Sequence, residues 1–333
     1  MSSQRKALVT GGAGFIGGHL VDHLLWLDYE VVVLDNFRNG KYENLPNGGD
    51  AKNLHVIHGD VTDRDTCIRA TVGIAEVYHL ACLGVRHSIH NPIENHQVNA
   101  LGTLYLLQAA RQNAVARFLY MSSSEIYGRA ADFPITERTT PWPLTVYGSS
   151  KLAGEHYTHN FYECYGMRTV RVRTFNNYGE RSHFEGDAGE VIPRWMLRAL
   201  SGEQPVIFGD GKLTRDFLYV KDCVEMLPAI LHCPALEGRV VNLGYGEETS
   251  LDELASTLLK TLGLSGLGIK NEAPRPADVP RLWVDTALLR KTLGFQPKTP
   301  LPAGLALTAE YFKGIHAQSS NIIRHIRLRN WEV

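Results

Sequence analysis

Apolar and polar residues alternate along the first half of the chain in a way that predicts strands and helices in turn. Near-continuous apolar segments predict the strands Lys6–Thr10, Glu30–Asp35, Leu54–Gly59, Glu76–Ala81, Arg117–Ser122 and Arg168–Phe175. Such segments are typical of parallel strands that helices cover on both faces. Apolar residues at helical spacing predict the helices Phe15–Leu27, Asn99–Asn113 and Ser149–Tyr165. This alternation predicts an α/β fold with a doubly wound parallel sheet.

The pattern changes after about Thr174. Glycine, proline and charged residues become frequent there, and short strands surround the helix predicted over Ser250–Leu262. We therefore predict a first domain over residues 1–175 and a smaller α/β substrate-binding lobe over residues 176–315, interleaved with returns to the first domain. Residues 316–333 form a mildly basic tail to which the sequence assigns no role.

Composition argues against several classes of protein, namely nucleic-acid-binding, membrane-spanning, secreted and disulfide- or metal-stabilised ones. A net charge of −1 gives no basic field that would attract nucleic acid. No apolar segment is long enough to cross a bilayer, and the first residues lack the apolar stretch of a secretion signal. The five cysteines show no CxxC spacing, so neither a disulfide framework nor a metal site is predicted. Cys82 and Cys223 lie in apolar stretches and are interpreted as core residues. These features predict a cytoplasmic protein.

A glycine-rich turn, TGGAGFIGG, joins the first predicted strand to the first predicted helix. Gly11, Gly14 and Gly17 would let the chain turn tightly and let a pyrophosphate approach backbone N–H groups at the helix N-terminus. This strand–turn–helix context favours a Rossmann-type dinucleotide site over a structural turn. Asp35 ends the second strand, where it can accept both hydroxyls of an adenine ribose and repel the extra phosphate of NADP. The predicted cofactor is therefore NAD, although Arg38 lies nearby.

The next two strand ends predict more of the cofactor site. Asp60 and Val61 suit the adenine edge, and Leu80 and Ala81 suit the middle of the cofactor. His79 ends the fourth strand beside a turn of small residues and is interpreted as structural.

Hydroxyl groups, a tyrosine and a lysine form a catalytic pattern. FLYMSSSEIYG ends a strand in consecutive serines, and Tyr147 and Lys151 follow at helical spacing, which puts them on one helix face. A phenol with a pKa of about 10 is a poor base at neutral pH. A neighbouring ammonium and the positive nicotinamide ring would both lower that pKa. The pattern predicts proton transfer with a substrate alcohol, for which a strand-end serine completes the hydrogen-bond path.

Several motifs together resemble the extended short-chain dehydrogenase/reductase family of sugar-nucleotide epimerases, dehydratases and decarboxylases. They are TGGAGFIGG, DNF, HLAC, SSSEIYG, YGSSK and RTFNNYG, and the resemblance covers nearly the whole chain. It implies tightly held NAD that oxidises a hexose at carbon 4 and usually returns the hydride within one turnover. By position it implies Tyr147 as the base, Lys151 as the cation that tunes it and holds the nicotinamide ribose, and Ser123 as the hydroxyl partner. The implied further cofactor contacts are Phe15, Ile16, Asn36, Arg38, Gly40 and Asn99.

The two residues after Ser123 distinguish the reactions of that family. A 4,6-dehydratase resembles hydroxyl-Asp-Glu, and Ser124 lacks the acid that such an enzyme needs. A plain 4-epimerase leaves Glu125 without a role. The pattern hydroxyl-Ser-Glu resembles the corresponding motif of UDP-glucuronate decarboxylases. Three further segments resemble decarboxylase segments, namely DNFRNGKYEN, NPIENHQVNALGT and YGERSH. In YGERSH, Glu180 stands where the decarboxylases usually have proline. We therefore expect decarboxylation of UDP-glucuronate to UDP-xylose, UDP-4-keto-pentose or both. Glu125 would position the ring and manage the proton at carbon 5.

The carboxylate partner stays open between two arginines. ACLGVRHSIHNP carries Arg86 and looks more like UDP-glucuronate 4-epimerases, the second reading of the function. Arg181 in YGERSH is the other candidate, and Arg281 stands one position away from an arginine of the decarboxylases. A nucleotide-hexose 4,6-dehydratase and an NAD-binding sensor or scaffold without chemistry are weaker alternatives.

The nucleotide end is assigned by resemblance. Arg215 and Arg275 would hold the diphosphate, since guanidinium groups bind it bidentately. Asn176 would contact the phosphate-proximal sugar. Glu190 with Val191, and Val206–Phe208 with its Phe208, would hold the base, usually uracil. The resemblance also implies a homodimer that pairs the helices Asn99–Asn113 and Ser149–Tyr165.

Overall fold

A computed structural model describes residues 5–275, 278–319 and 321–332. Its centre is a seven-stranded sheet in the order β11-β6-β5-β4-β1-β2-β3, and every neighbouring pair in it is parallel. The predicted α/β fold class is confirmed. The strands are β1 Lys6–Thr10, β2 Glu30–Asp35, β3 Leu54–His58, β4 Glu76–His79, β5 Arg117–Ser123, β6 Thr169–Thr174, β7 Asn176–Tyr178, β8 Val206–Phe208, β9 Thr214–Arg215, β10 Phe217–Tyr219, β11 Val240–Leu243, β12 Thr249–Ser250 and β13 Lys270–Glu272.

Helices connect these strands and cover the central sheet. They are α1 Phe15–Trp26, α2 Arg64–Ala70, α3 Val85–His90, α4 Pro92–His96, α5 Thr103–Gln112, α6 Val146–Tyr165, α7 Val191–Leu200, α8 Val220–Leu231, α9 Leu251–Leu262, α10 Ala287–Leu293 and α11 Leu301–Gln318. The helix predicted over Asn99–Asn113 is in fact two elements, a π-helix over Gln97–Gly102 and then α5. In the part of the chain that the structure describes, no helix is long and apolar enough to span a membrane.

The central sheet has a buried core on each face, which explains its near-continuous apolar strands. Along β2, Val31 and Val33 face one core, while Val32 and Leu34 face the other. Side chains alternate between the two faces of a strand, so a strand buried on both sides needs apolar residues throughout.

The second half of the chain adds three small two-stranded sheets and one strand of the central sheet. β11 pairs with β6 in parallel at the sheet edge, with Asn242 opposite Arg173. Asn242 Oδ1 accepts a 2.7 Å hydrogen bond from the Tyr127 hydroxyl, which itself accepts one of 2.8 Å from Arg173 Nη1. Arg173 also binds Glu155 of α6 at 2.7 Å. β11 is therefore tied to the sheet and, through this network, to α6.

Candidate functional site

One long cavity lies at the carboxyl ends of the central strands, where open α/β sheets bind their ligands. We call one side the cofactor half. It contains the predicted residues Gly11, Gly14, Phe15, Ile16, Gly17, Asp35, Asn36, Arg38, Gly40, Asp60, Val61, Leu80 and Ala81. We call the other side the substrate half. It contains the predicted residues Arg86, Ser124, Glu125, Asn176, Glu190, Val191, Phe208, Arg215 and Arg275. Ser123, Tyr147 and Lys151 line the cavity between the two halves.

The glycine-rich turn leaves no room for side chains at two positions. Gly11 has a φ of +68°, and a Cβ there would lie 2.8 Å from the Ala81 nitrogen. A Cβ on Gly17 would lie 2.0 Å from the Gly11 carbonyl oxygen. Gly14 is the N-cap of α1, and no side-chain hydrogen bond caps the helix there. The first residues of α1, Phe15 to Gly17, line the cavity. This backbone shape fits the pyrophosphate of a dinucleotide.

Asp35 is held in place by the backbone around it. Its Oδ2 accepts a 2.9 Å hydrogen bond from Ala13 N, and its Oδ1 accepts one of 2.8 Å from Phe37 N. Burial raises the pKa of Asp35, and these two hydrogen bonds oppose that shift. A Cβ on Gly40 would lie 2.8 Å from Asp35 Oδ1, so glycine is needed for this arrangement. Arg38 is engaged by Glu94 and is exposed. The arrangement therefore suits the free ribose hydroxyls of NAD.

His79 is structural, as interpreted from the sequence. Its two ring nitrogens contact the hydroxyls of Thr10 at 2.7 Å and Thr103 at 2.9 Å. Both nitrogens are therefore occupied inside the protein.

Tyr147 and Lys151 lie one turn apart on α6, whose first turn is capped by Thr145. Tyr147 lies near Ser123, which ends β5. Lys151 Nζ donates a 2.6 Å hydrogen bond to the Met121 carbonyl. Burial raises the pKa of the Tyr147 phenol, and the neighbouring Ser123 hydroxyl opposes this shift. The sequence predicted a lowered phenol pKa, but desolvation outweighs the favourable contacts that the protein itself provides.

Glu125 follows β5 in a single 3-10 turn, where Ser123 Oγ accepts a 3.2 Å hydrogen bond from Glu125 N. Its carboxyl faces the cavity, and among the described residues it has no hydrogen-bond or ion-pair partner. Burial raises the pKa of Glu125, while the guanidinium groups of Arg215, Arg275 and Arg86 oppose the shift. The Glu125 carboxyl thus lies in the field of three guanidinium groups, and burial moves its pKa upward.

Arg86 projects from α3 into the substrate half. Its Nε donates to the Asp187 carbonyl at 2.9 Å and its Nη2 to the Ala188 carbonyl at 3.2 Å. Burial lowers the pKa of Arg86 to about 10, and Glu190, Asp187 and Glu125 oppose the shift. Burial raises the pKa of Glu190 to about 8, and Arg86 opposes this. A cation and an acid that is largely neutral at pH 7 therefore lie side by side.

Two arginines share one carboxylate at the far end of the substrate half. Asp278 Oδ1 accepts from Arg215 Nη2 at 3.0 Å and from Arg275 Nη2 at 2.5 Å. One carboxylate cannot use all the donors of two guanidinium groups, so donors remain for an anion such as a diphosphate. Asn176 Oδ1 is also buried without a partner among the described residues, as expected of a group that awaits a ligand.

A histidine–aspartate cluster holds the loop that covers the substrate half. Asp187 Oδ2 contacts His87 Nδ1 at 2.8 Å and His90 Nε2 at 2.9 Å. His87 Nε2 contacts Glu94 at 3.1 Å. Three potential metal-ligand atoms lie within 4.8 Å of one another here. His87 and His90 both contact Asp187 Oδ2, so these contacts tie Asp187 to α3.

The structure corrects several expectations. Arg181 does not line the cavity: it has a φ of +62°, and its Nη1 donates to Asp22 of α1 at 2.6 Å. Arg281 is also elsewhere, paired with Glu248 at 2.6 Å. Asn99 is buried behind the cavity wall, where its amide binds both backbone groups of Leu83. Cys82 is exposed and lines the cavity, whereas Cys223 is buried.

Several residues that line the cavity were not predicted from the sequence. They are His183, Asp187, Arg194, Arg198, Asp278, Leu328, Asn330 and Trp331. Asp278 could have been found as the acid three positions after Arg275. Leu328, Asn330 and Trp331 lie in the tail, and no motif or spacing connects them with the rest of the site.

Comparison with known proteins gives a consistent picture. The family model described as GDP-mannose 4,6 dehydratase matches residues 8–308. The chain is 34% identical to a putative UDP-glucose 4-epimerase of Methanocaldococcus jannaschii, over 92% of this chain and 98% of that protein. It is 33% identical to UDP-glucuronic acid decarboxylase 1 of Xenopus tropicalis, over 96% of this chain and 75% of that protein.

A solved structure extends the likeness to the fold. The dTDP-glucose 4,6-dehydratase of Streptomyces venezuelae, solved with NAD bound, superposes with a TM-score of 0.88. It is 29% identical, and the match covers 94% of this chain and 98% of that one. The similar proteins thus include an epimerase, a decarboxylase and a dehydratase, all of which modify sugar nucleotides.

Proposed function

Because the chain belongs to the GDP-mannose 4,6-dehydratase family within the extended short-chain dehydrogenases/reductases, we propose that it uses NAD to decarboxylate UDP-glucuronate. The carrying observation is Glu125, a carboxyl that lines the same cavity as Ser123, Tyr147 and three arginines and has no hydrogen-bond or ion-pair partner among the described residues. The products are UDP-xylose, the 4-keto-pentose that precedes it, or both.

NAD is the cofactor that the cofactor half fits. The turn that excludes a Cβ at Gly11 and Gly17 accepts the pyrophosphate, and Asp35 accepts the ribose hydroxyls. When bound, NAD supplies the acceptor for the carbon 4 hydride and the donor for the final reduction. Lys151 lines the same cavity and would hold the nicotinamide ribose.

Tyr147 and Ser123 handle the proton of the carbon 4 hydroxyl. The phenolate form of Tyr147, which Lys151 and the positive nicotinamide ring of bound NAD would favour, takes this proton as the carbon 4 ketone forms, and the Ser123 hydroxyl would hydrogen-bond the same oxygen. The ketone makes the substrate carboxylate a β-keto acid. The carbon 5–carbon 6 bond then breaks, carbon dioxide leaves, and the electron pair moves into the carbonyl to give an enolate. Ser123 and Tyr147 stabilise that enolate oxygen by hydrogen bonds.

Arg86 and Glu125 act at the carboxylate end of the sugar. Arg86 is fixed by two backbone carbonyls, so its remaining donors can orient the substrate carboxylate. Glu125 lines the cavity next to Ser123 and Ser124, and in its acid form it would give a proton to carbon 5 after carbon dioxide leaves. Arg181 is paired with Asp22 of α1 and does not line the cavity, so Arg86 is the proposed carboxylate ligand.

A UDP-glucuronate 4-epimerase is the second candidate, because Arg86 would serve that reaction equally well. The epimerase relative is described as acting on UDP-glucose and is 34% identical, and the decarboxylase relative is 33% identical, so identity alone does not separate the two reactions. The two candidates differ in the task of Glu125, since epimerisation at carbon 4 needs no proton at carbon 5. The cytoplasmic location and the homodimer remain predictions from the sequence.

The decisive experiment is to incubate the protein with UDP-glucuronate and NAD and to follow the mass of the sugar nucleotide. Loss of carbon dioxide is expected, and the ratio of keto to reduced pentose then shows when the product leaves. Unchanged mass with a new stereoisomer would establish the epimerase instead. No change would refute both, and UDP-glucose and dTDP-glucose would be tried next.

A further inference from the structure

The segment Asn321–Glu332 packs against the substrate half of the cavity. It lies beyond residue 308, where the match to the family model ends. Ile322 and Ile326 are buried in the main core, and Asn330 and Trp331 are only 2% and 7% exposed. Leu328, Asn330 and Trp331 line the cavity itself. This segment therefore forms part of the wall of the substrate half.

Arg194 of α7 fastens this segment. Its Nη2 donates to the Leu328 carbonyl at 2.8 Å and also to the Arg327 carbonyl, and its Nη1 donates to Asn330 Oδ1 at 3.2 Å. Burial lowers the pKa of Arg194 to about 9, so the protein bears a desolvation cost to keep this guanidinium here. Three acceptors on one guanidinium fix the backbone of the segment in a single place.

Asn330 joins the segment to the loop of residues 186–189, which lines the substrate half. Its Nδ2 donates to the Gly186 carbonyl at 3.1 Å and to the Gly189 carbonyl at 3.0 Å. Arg86 holds the carbonyls of Asp187 and Ala188 in the same loop. Of the four consecutive carbonyls of residues 186–189, the outer two are thus bound by the segment and the inner two by Arg86 of α3.

Trp331 provides an aromatic surface beside β8. Its ring meets that of Phe208 edge to face, with centroids 4.6 Å apart. Phe208 also borders Arg275 and Asp278 at the diphosphate end of the substrate half. A flat aromatic ligand joined to a diphosphate would therefore meet the Phe208–Trp331 pair while the arginines hold its phosphates.

We propose that Trp331 is a base-recognition residue, and that the segment Asn321–Glu332 is a fixed wall of the nucleoside site for a UDP-type ligand. This inference rests on the proposed use of UDP-sugars and extends it to a part of the chain outside the family domain. The segment also restrains the covering loop through Asn330, so base recognition and closure over the sugar share one anchor.

The test compares Trp331→Ala with Trp142→Ala, a control at a tryptophan that is 74% exposed. UDP is the probe, and its dissociation constant is measured by calorimetry on protein whose NAD content has been checked. Loss of a base–aromatic contact should weaken UDP binding about tenfold. The control should bind UDP as the unchanged chain does, and NAD content should stay the same in both variants.

A conservative variant guards against a folding defect. Trp331→Phe keeps an aromatic wall and should restore UDP affinity to within about threefold, with the same thermal unfolding midpoint as the unchanged chain. Equal UDP affinity in the unchanged chain and Trp331→Ala would overturn the inference and leave the proposed function standing. Failure of the unchanged chain to bind UDP at all would overturn the proposed function and the inference with it.

Discussion

The cofactor half and the substrate half of the cavity are built in different ways. The cofactor half is shaped by backbone, since the glycine turn excludes side chains at Gly17 and the hydrogen bonds of Asp35 are made to main-chain nitrogens. The substrate half is shaped by charged side chains, such as Arg86 of α3 and Glu125 of the turn after β5, that come from separate parts of the chain. The cofactor half should therefore be sensitive to added volume, and the substrate half to changed charge.

Added volume in the cofactor half should have the largest effect. In Gly17→Ala the new Cβ would lie 2.0 Å from the Gly11 carbonyl oxygen, so the turn must move. We expect no retained NAD, no turnover and a loss of about 1–3 kcal/mol in the free energy of unfolding. NAD content and thermal unfolding measure this. Gly314→Ala is the matched control, because nothing lies within 4 Å of its Cβ position. Normal NAD content in Gly17→Ala would show that the turn is not the binding surface.

Removal of the Tyr147 hydroxyl, which lies between the two halves, should have the second-largest effect. Tyr147→Phe keeps the ring and its packing but cannot exchange a proton with the substrate. We expect turnover of UDP-glucuronate to fall by about 10²–10⁴-fold, with bound NAD and unfolding temperature unchanged. Turnover and NAD content are measured on the same preparation. An active variant would refute the assignment of Tyr147 as the base.

A charge change in the substrate half should separate the steps of the reaction. Glu125→Gln cannot return a proton to carbon 5, so the enolate that forms when carbon dioxide leaves is not protonated and steady-state formation of the UDP-pentose should fall by about 10²-fold. Oxidation at carbon 4, followed by NADH absorbance in a single turnover, should fall less. Equal loss of both steps would show that Glu125 has a structural role, and would strengthen the epimerase reading.

The pH dependence of binding should show the smallest effect. Burial raises the pKa of Glu190 to about 8, so its carboxyl is mostly neutral at pH 7 and gains a negative charge as the pH rises through 8. Beside Arg86 that charge would compete with the substrate carboxylate. The KM for UDP-glucuronate should therefore rise about tenfold between pH 7 and 9. The KM of Glu190→Gln should stay flat over this range, and parallel profiles would exclude Glu190 as the titrating group.

Sequence alone could predict the cofactor half because its signals are local. Gly11, Gly14 and Gly17 belong to one turn, and Tyr147 and Lys151 to one helix face, so spacing along the chain already gives their geometry. The substrate half depends on how loops meet, which spacing does not encode. Arg181 stands in a motif beside the site, but its backbone turns it toward Asp22. Trp331 reaches the cavity only because Arg194 holds the backbone before it.

The late strand β11 has a consequence for how the protein is made. When residues 1–175 have left the ribosome, the glycine turn, Asp35, Tyr147 and Lys151 are all present, yet β6 is still an open sheet edge. Tyr127 also lacks its acceptor until Asn242 is synthesised. Open edges invite pairing with other chains. The central sheet of the nascent chain is therefore complete only after Val240–Leu243 has been synthesised. A fragment that ends at residue 175 would contain the cofactor motifs but would lack the last strand of this sheet.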